Sequence, residues 1–209
     1  MTRFLTIFLV AFLGCATASA AGGKTLRMAY DADPTSLDPH EQLAGATLQL
    51  SHLVFDPLVR RRQDNSFEPR LAESWEQIED VTLRFHLRDG VKFHSGRKLT
   101  ADDVVWTFER LKKSPDFKAL YEPFESATAV DEHTVDIVTK APYPLTLNLA
   151  TYIFPMDREF YSGTAENGRP KDAVVKHGSS FASANISGTG PVRVMKREQG
   201  IRRELERVD

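Results

Sequence analysis

The chain has 209 residues, 41% of them hydrophobic and 27% charged, with a formal charge of −2 and one cysteine. That balance is ordinary for a folded protein of one or two domains and excludes an intrinsically disordered chain. It gives no positive field for nucleic acid, because the longest basic run is Arg60-Arg61-Arg62.

Residues 1–20 carry one charge, Arg3, followed by an apolar run from position 4 to position 13 and the small residues Ala18-Ser19-Ala20. This is the layout of a cleaved secretory signal peptide, and the run is well short of the roughly 20 apolar residues a permanent membrane span needs. Export and cleavage after Ala20 are expected. Cys15 lies inside the removed segment, so disulfides and cysteine-based metal sites are excluded from the mature chain. The alternative takes Leu13-Gly14-Cys15 as a lipoprotein site and anchors the chain at Cys15.

Residues 24–30 read as the first strand of the mature protein, and Asp33-Pro34 and Asp38-Pro39 bracket a turn-rich segment after it. Over 44–59 the spacing of Leu48, Leu50, Leu53, Val54, Phe55 and Leu58 predicts a short amphipathic helix ending before Asp56-Pro57. Leu58-Val59 and Phe67 flank a hairpin turn at Asp64-Asn65. A strand over 75–78 turns at Glu79-Asp80 into another, in which Leu83, Phe85 and Leu87 alternate with Arg84, His86 and Arg88. Asp89-Gly90 then predicts a further tight hairpin, with Val91 and Phe93 on its far arm.

A capped helix follows. Thr100 is the N-cap, Asp102 and Asp103 place charge at the positive end of the dipole, and Val104, Val105, Phe108 and Leu111 form one apolar face. Lys112 and Lys113 suit the other end, and Ser114-Pro115 stops the helix. Beyond it, Val130-Asp131 and residues 134–138 alternate like a hairpin. Pro142 and Pro144 break the chain before Leu145, Leu147 and Leu149, one side of a short helix reaching Ile153. Residues 164–171 form a polar loop, 174–181 show no period, and Gly188-Thr189-Gly190-Pro191 is a rigid turn before a last strand, 192–195. The charged run 202–209 has no terminal element after it. Strands outnumber helices, no βαβ order or repeat is visible, and the class is mixed α/β.

Catalytic and metal chemistry find little support. The histidines at 40, 52, 86, 94, 133 and 177 include no pair at helical i, i+3 or i, i+4 spacing. His86 and His94 flank the Asp89-Gly90 turn and both alternate onto its polar face, which is read as solvated. No serine sits in a glycine elbow, and Asp102 and Asp103 are explained by the cap. Gly188-Thr189-Gly190-Pro191 lacks the lysine of a phosphate loop. No catalytic residue, metal site or cofactor is expected.

Four segments together, in this order, resemble the extracytoplasmic solute-binding proteins of peptide-type ABC importers, the dipeptide, oligopeptide and nickel binders. They are Ser36-Leu37-Asp38-Pro39, then Pro69-Arg70-Leu71-Ala72-Glu73-Ser74-Trp75, then the long stretch 83–111, then Gly188-Thr189-Gly190-Pro191. The third segment, FHLRDGVKFHSG running into LTADDVVWTFERL, is the most specific. One departure is Val192, where the family often has an aromatic residue. The other is length, since members usually exceed twice this chain.

The resemblance implies a periplasmic-binding-protein-like fold of type II, present as a first lobe with an inserted α+β subdomain and without the second lobe. Residues 21–55 would start the first lobe, 56–183 would be the insert, and 184–209 would return to the lobe. It implies a non-enzymatic periplasmic protein, monomeric at full length, that closes two lobes on a short peptide and delivers it to an inner-membrane permease. Leu43, Ala44, Gly45 and Ala46 match the loop lining the cleft from the first lobe, and by the alternative reading they merely lead into a helix. A nickel chelate, haem, glutathione or a sugar-like solute would suit the same fold, and a secreted hydrolase with its site in the missing half is the rival class. The 83–111 stretch would be scaffold away from the cleft. Without the second lobe, open sheet edges predict poor solubility of the isolated chain.

Overall fold

A computed structural model describes residues 32–208. The expected signal peptide, Cys15 and the strand expected over 24–30 lie outside them. The first element is helix α1 (Gly45–Val54), which buries Thr47, Leu50, Ser51 and Val54 along one side. It ends just before Asp56-Pro57, as the spacing of its leucines predicts. Strands β1 (Val59–Arg61) and β2 (Phe67–Pro69) form the small hairpin around Asp64-Asn65.

A four-stranded antiparallel sheet follows, built from β3 (Ala72–Glu79), β4 (Thr82–Leu87), β5 (Phe124–Asp131) and β6 (Thr134–Thr139) in the order β3-β4-β6-β5. The two central strands share one burial pattern, with Leu83 opposite Ile137 and Phe85 opposite Val135 on the apolar face. On the wetter face Arg84 stands opposite Asp136 and holds it with two bonds of 2.7 and 2.8 Å.

Helix α2 (Ala101–Lys113) covers the apolar face, laying Val104, Phe108 and Leu111 onto β5 and β6. Phe108 meets Tyr121 and Phe124 edge-on at 5.8 and 5.7 Å, and the buried Tyr121 hydroxyl donates to Leu149 O at 2.8 Å. Helix α3 (Thr146–Ala150) is shorter than predicted. The chain ends in a two-stranded hairpin, β7 (Val192–Glu198) with β8 (Arg202–Arg207).

Two sequence expectations are corrected. Asp89-Gly90 does turn the chain, with Gly90 at φ 74°, but no hairpin pairs across it. Both edges of β4 are already taken by β3 and β6, so Val91 and Phe93 find no strand there. They reverse instead around Ser95-Gly96, where Lys92 bridges Lys98 and Phe93 N–H donates to Arg97 O at 2.9 Å. The strand expected over 192–195 is also not the last, because 202–207 is strand β8. Its order comes from backbone pairing and ion pairs such as Arg193–Glu206 at 2.6 Å and Arg203–Asp33 at 3.0 Å.

The buried apolar residues form two clusters. The larger draws on residues 58–153, between the sheet, α2 and α3. The smaller joins Leu37, Leu50, Val54 and Phe55 to Phe154, Met156, Tyr161 and Ala182, with Val192 and Val194 packed against it. No helix among the described residues is long and apolar enough to cross a membrane.

Candidate functional site

Leu43, Ala44, Gly45 and Ala46 form one open turn at the start of α1. Leu43 is 43% exposed, Ala44 and Gly45 are exposed, and Ala46 is half-buried. Ala44 is the N-cap in extended geometry and offers no side-chain bond. The first-turn amides therefore keep free donors, since a helix satisfies none of its first N–H groups internally. A β-carbon added to Gly45 would meet no atom within 4 Å. The space beside Gly45 is open. The turn is pinned from outside, because Leu43 N–H donates to Asp116 Oδ2 at 3.2 Å. Asp116 is itself held by Lys176 at 2.8 Å, and that bond pulls its carboxyl below the usual range.

The segment just before the turn enters a buried polar network. Asp38 and Arg110 pair through two bonds, 2.9 Å from Nη1 and 2.6 Å from Nη2. The guanidinium also bonds His40 Nδ1 at 3.2 Å and Asp172 O at 3.0 Å, and Ser180 Oγ donates to Asp38 at 3.2 Å. Ser114 Oγ donates to His40 O at 2.6 Å. Thus α2, the 36–41 segment and the 172–180 segment are tied at one point.

The network makes stability depend on pH. Burial drives the His40 imidazole down to about 3, the Arg110 charge adds to this, and Asp38 opposes it. For Asp38, burial alone would push the carboxyl up, but the Arg110 charge and bonds hold it below its ordinary value. Both folded pKa values lie below their unfolded ones, so the stability is complete above about pH 6.5. It is lost as pH falls toward 3 and the unfolded chain takes up protons the fold refuses. His40 alone accounts for about 2 kcal/mol at pH 5. Scanning calorimetry is expected to give a lower midpoint at pH 5 than at pH 7.5, with a smaller difference in His40→Gln. Equal midpoints for the parent would show that His40 is not held neutral.

A second network sits at the far end of α2. Asp103 is not a surface charge as its place in the first turn suggests. It is fully buried, accepts from Thr100 N–H at 2.9 Å and Arg158 N–H at 3.1 Å, and pairs with Arg97. Arg97 also holds Asp157 at 2.7 Å, and Asp157 accepts from Ser95 Oγ at 2.5 Å and Ser187 Oγ at 3.3 Å.

His94 is likewise half-buried and bonded rather than simply solvated. Its Nε2 lies 2.9 Å from Gly190 O, and its backbone N–H donates to Gly188 O at 2.8 Å. Burial lowers its pKa, with the Gly190 bond acting against this. His86 does lie on the wet face, 3.1 Å from Glu76. Sequence reasoning missed Asp103, Thr107, Arg110 and Ser114, all buried. A signal existed in their i, i+4, i+7, i+11 spacing, a polar stripe beside the apolar one.

The chemistry on offer is hydrogen bonding at an open turn next in sequence to a buried, charge-paired segment. No group of three or more His, Cys, Asp or Glu side chains among the described residues is placed to hold a metal ion. The model of the bacterial extracellular solute-binding proteins, family 5 (middle), matches residues 66–209, more than half of the chain. The chain belongs to the family 5 solute-binding proteins.

Solved structures similar to this family 5 chain include the oligopeptide-binding protein AppA of Bacillus subtilis in complex with a nonapeptide. That match has 22% identity and a TM-score of 0.74 over 85% of this chain and 35% of AppA. The murein tripeptide binding protein MppA of Escherichia coli matches at 23% and 0.68 over 84% of this chain and 36% of its own. NikZ of Campylobacter jejuni, in complex with Ni(L-His), matches at 24% and 0.68 over 84% and 34%. These likenesses give the fold, the mixed α/β architecture of family 5 binding proteins, of which this chain supplies part. Among curated proteins, the HTH-type transcriptional regulator SgrR of Escherichia coli K12 is 32% identical over 129 residues, 61% of this chain and 21% of the regulator. The chain thus spans about a fifth of that relative and about a third of the solved ones.

Proposed function

We propose that the protein carrying this chain is the substrate-binding component of an ABC importer, taking short peptides into a cleft between two lobes and presenting them to a membrane permease. The observation that carries this reading is the open turn Leu43, Ala44, Gly45 and Ala46, whose amides have no side-chain cap. A peptide's backbone carbonyls need such donors, and closure of a second lobe over them would favour the liganded state by differential affinity. In this reading 21–55 and 184–209 belong to the first lobe, 56–183 is the insert, and the second lobe lies outside the sequence given. The protein is exported to the periplasm, acts as a monomer, and binds rather than catalyses. No nucleic-acid partner is proposed for a chain of charge −2. The likeness to NikZ favours a nickel chelate as the second reading.

Calorimetry with a mixed library of short peptides and a panel of nickel chelates tests the assignment. Peptide heat is expected, and a response to chelates alone would move the ligand class. Gly45→Trp fills the open side of the turn. It is expected to weaken peptide binding about tenfold, a loss of about 1.4 kcal/mol, while stability stays within about 0.5 kcal/mol, as for other surface changes. Undiminished binding in Gly45→Trp would remove this turn from the cleft.

A further inference from the structure

A groove of about 380 Å³ opens past the other end of α1, lined by Asp56, Arg70, Leu71, Arg88, Val91 and Thr189 among others. Ten helical residues, about 15 Å, separate it from the Gly45 turn. Its walls come from four separate stretches of chain held by backbone bonds. Leu71 N–H donates to Pro57 O at 3.2 Å, Arg88 N–H to Leu71 O at 2.8 Å and Leu99 N–H to Val91 O at 2.9 Å. Asp56 N–H donates to Thr189 Oγ1 at 3.1 Å. The shape therefore exists before anything enters.

Positive charge in the groove is under-compensated. Arg88 has no carboxylate partner among the described residues, and its side chain makes a long bond of 3.4 Å to Arg70 O. Glu68 is shared by Arg60 at 3.9 Å, Arg62 at 3.0 Å and Arg70 at 3.1 Å. Arg70 Nε is buried without a hydrogen-bond partner, and so is His52 Nδ1 nearby. A buried donor left unpaired costs free energy that an acceptor would recover. Asp56 is the acid at the groove, and burial pushes its carboxyl up while Arg70 and Arg60 act against this.

We propose that this groove is an oxyanion site, binding the carboxylate or phosphate group of a small solute between the Arg70 and Arg88 guanidinium groups. Guanidinium forks match both anions bidentately, with the Thr189 hydroxyl beside them. Asp56 opposes the anion and sets the affinity low. The site is independent of the peptide reading, since it uses neither the Gly45 turn nor a second lobe.

Amide shifts of the ¹⁵N-labelled chain, titrated with sodium phosphate or sodium acetate at constant ionic strength, test this. Saturable shifts at Leu71, Val91 and Thr189 are expected. The anion giving the tighter isotherm identifies the group recognised. Arg88→Gln should weaken binding about tenfold, the loss of one charge-assisted bond, and Asp56→Asn should tighten it. Arg61→Gln removes the same charge from an exposed position outside the groove and should leave binding unchanged. Failure of both anions to saturate, or equal weakening in Arg61→Gln and Arg88→Gln, would overturn the proposal, the latter by reducing it to general charge attraction.

Discussion

Gly188→Ala is expected to destabilise the protein by about 3 kcal/mol, the upper range for forcing volume into a packed site, read as a fall in the urea midpoint. The reason is room, because neither Gly188 nor Gly190 has a positive φ. A β-carbon at Gly188 would overlap Val54 O and lie 2.9 Å from Phe55 Cδ1. One at Gly190 would lie 2.5 Å from Leu53 O and 2.6 Å from Val54 C. Apart from the Phe55 ring, the obstacles are backbone atoms at the end of α1, which cannot rotate away. Relief would have to break Gly190 N–H to Val54 O, 2.9 Å, and disturb the contacts His94 makes with Gly188 and Gly190. Thr189→Val removes only the acceptor for Asp56 N–H and should cost about 1 kcal/mol. An unchanged midpoint in Gly188→Ala would mean that the turn does not rest on α1.

Arg110→Met should cost about 3–5 kcal/mol, because it leaves the Asp38 carboxylate buried without its partner. Asp38 and His40 are fully buried and Arg110 is 3% exposed, so water cannot replace the lost bonds. Adding Asp38→Leu is expected to recover much of the loss, and the double-mutant cycle should be strongly non-additive. The pH response separates this from lost packing. With Arg110 gone, burial is opposed only by the weaker lowering from His40 and raises the Asp38 pKa, so the variant's deficit should narrow as the pH is lowered toward 4. A deficit constant with pH would assign it to packing alone.

The local features of this fold were legible because local chemistry decides them. Thr100, the first-turn acids, Val104-Phe108-Leu111 and Ser114-Pro115 bound α2, and Asp64-Asn65 and Glu79-Asp80 mark two hairpins. What was not legible depended on partners distant in sequence. The Asp89-Gly90 hairpin failed because β4 has no free edge, which only the placement of β6 reveals. Strand β8 has one apolar residue, Leu205, so no hydrophobic alternation announces it. A capping charge is a sufficient local explanation for Asp103, and it hides the buried bonds to Arg97 and Arg158. At the candidate site, contiguity alone brings Leu43, Ala44, Gly45 and Ala46 together. The tie from Leu43 to Asp116 spans 73 residues and left no pattern to read.

The two apolar clusters also differ in when they can form. The larger takes all its buried residues from one unbroken stretch, 58–153, so it can assemble once that stretch has left the ribosome. The smaller needs both flanks, and the bond from Asp56 to Thr189 closes a separation of 133 residues. Closing so long a loop costs less entropy once the stretch inside it is already ordered. Residues 37–55 therefore wait, with Val54 and Phe55 uncovered, until Gly188 and Gly190 arrive. The absence of a side chain at those two glycines lets the turn seat on Val54 and Phe55 and so sets the moment at which the nascent chain covers them.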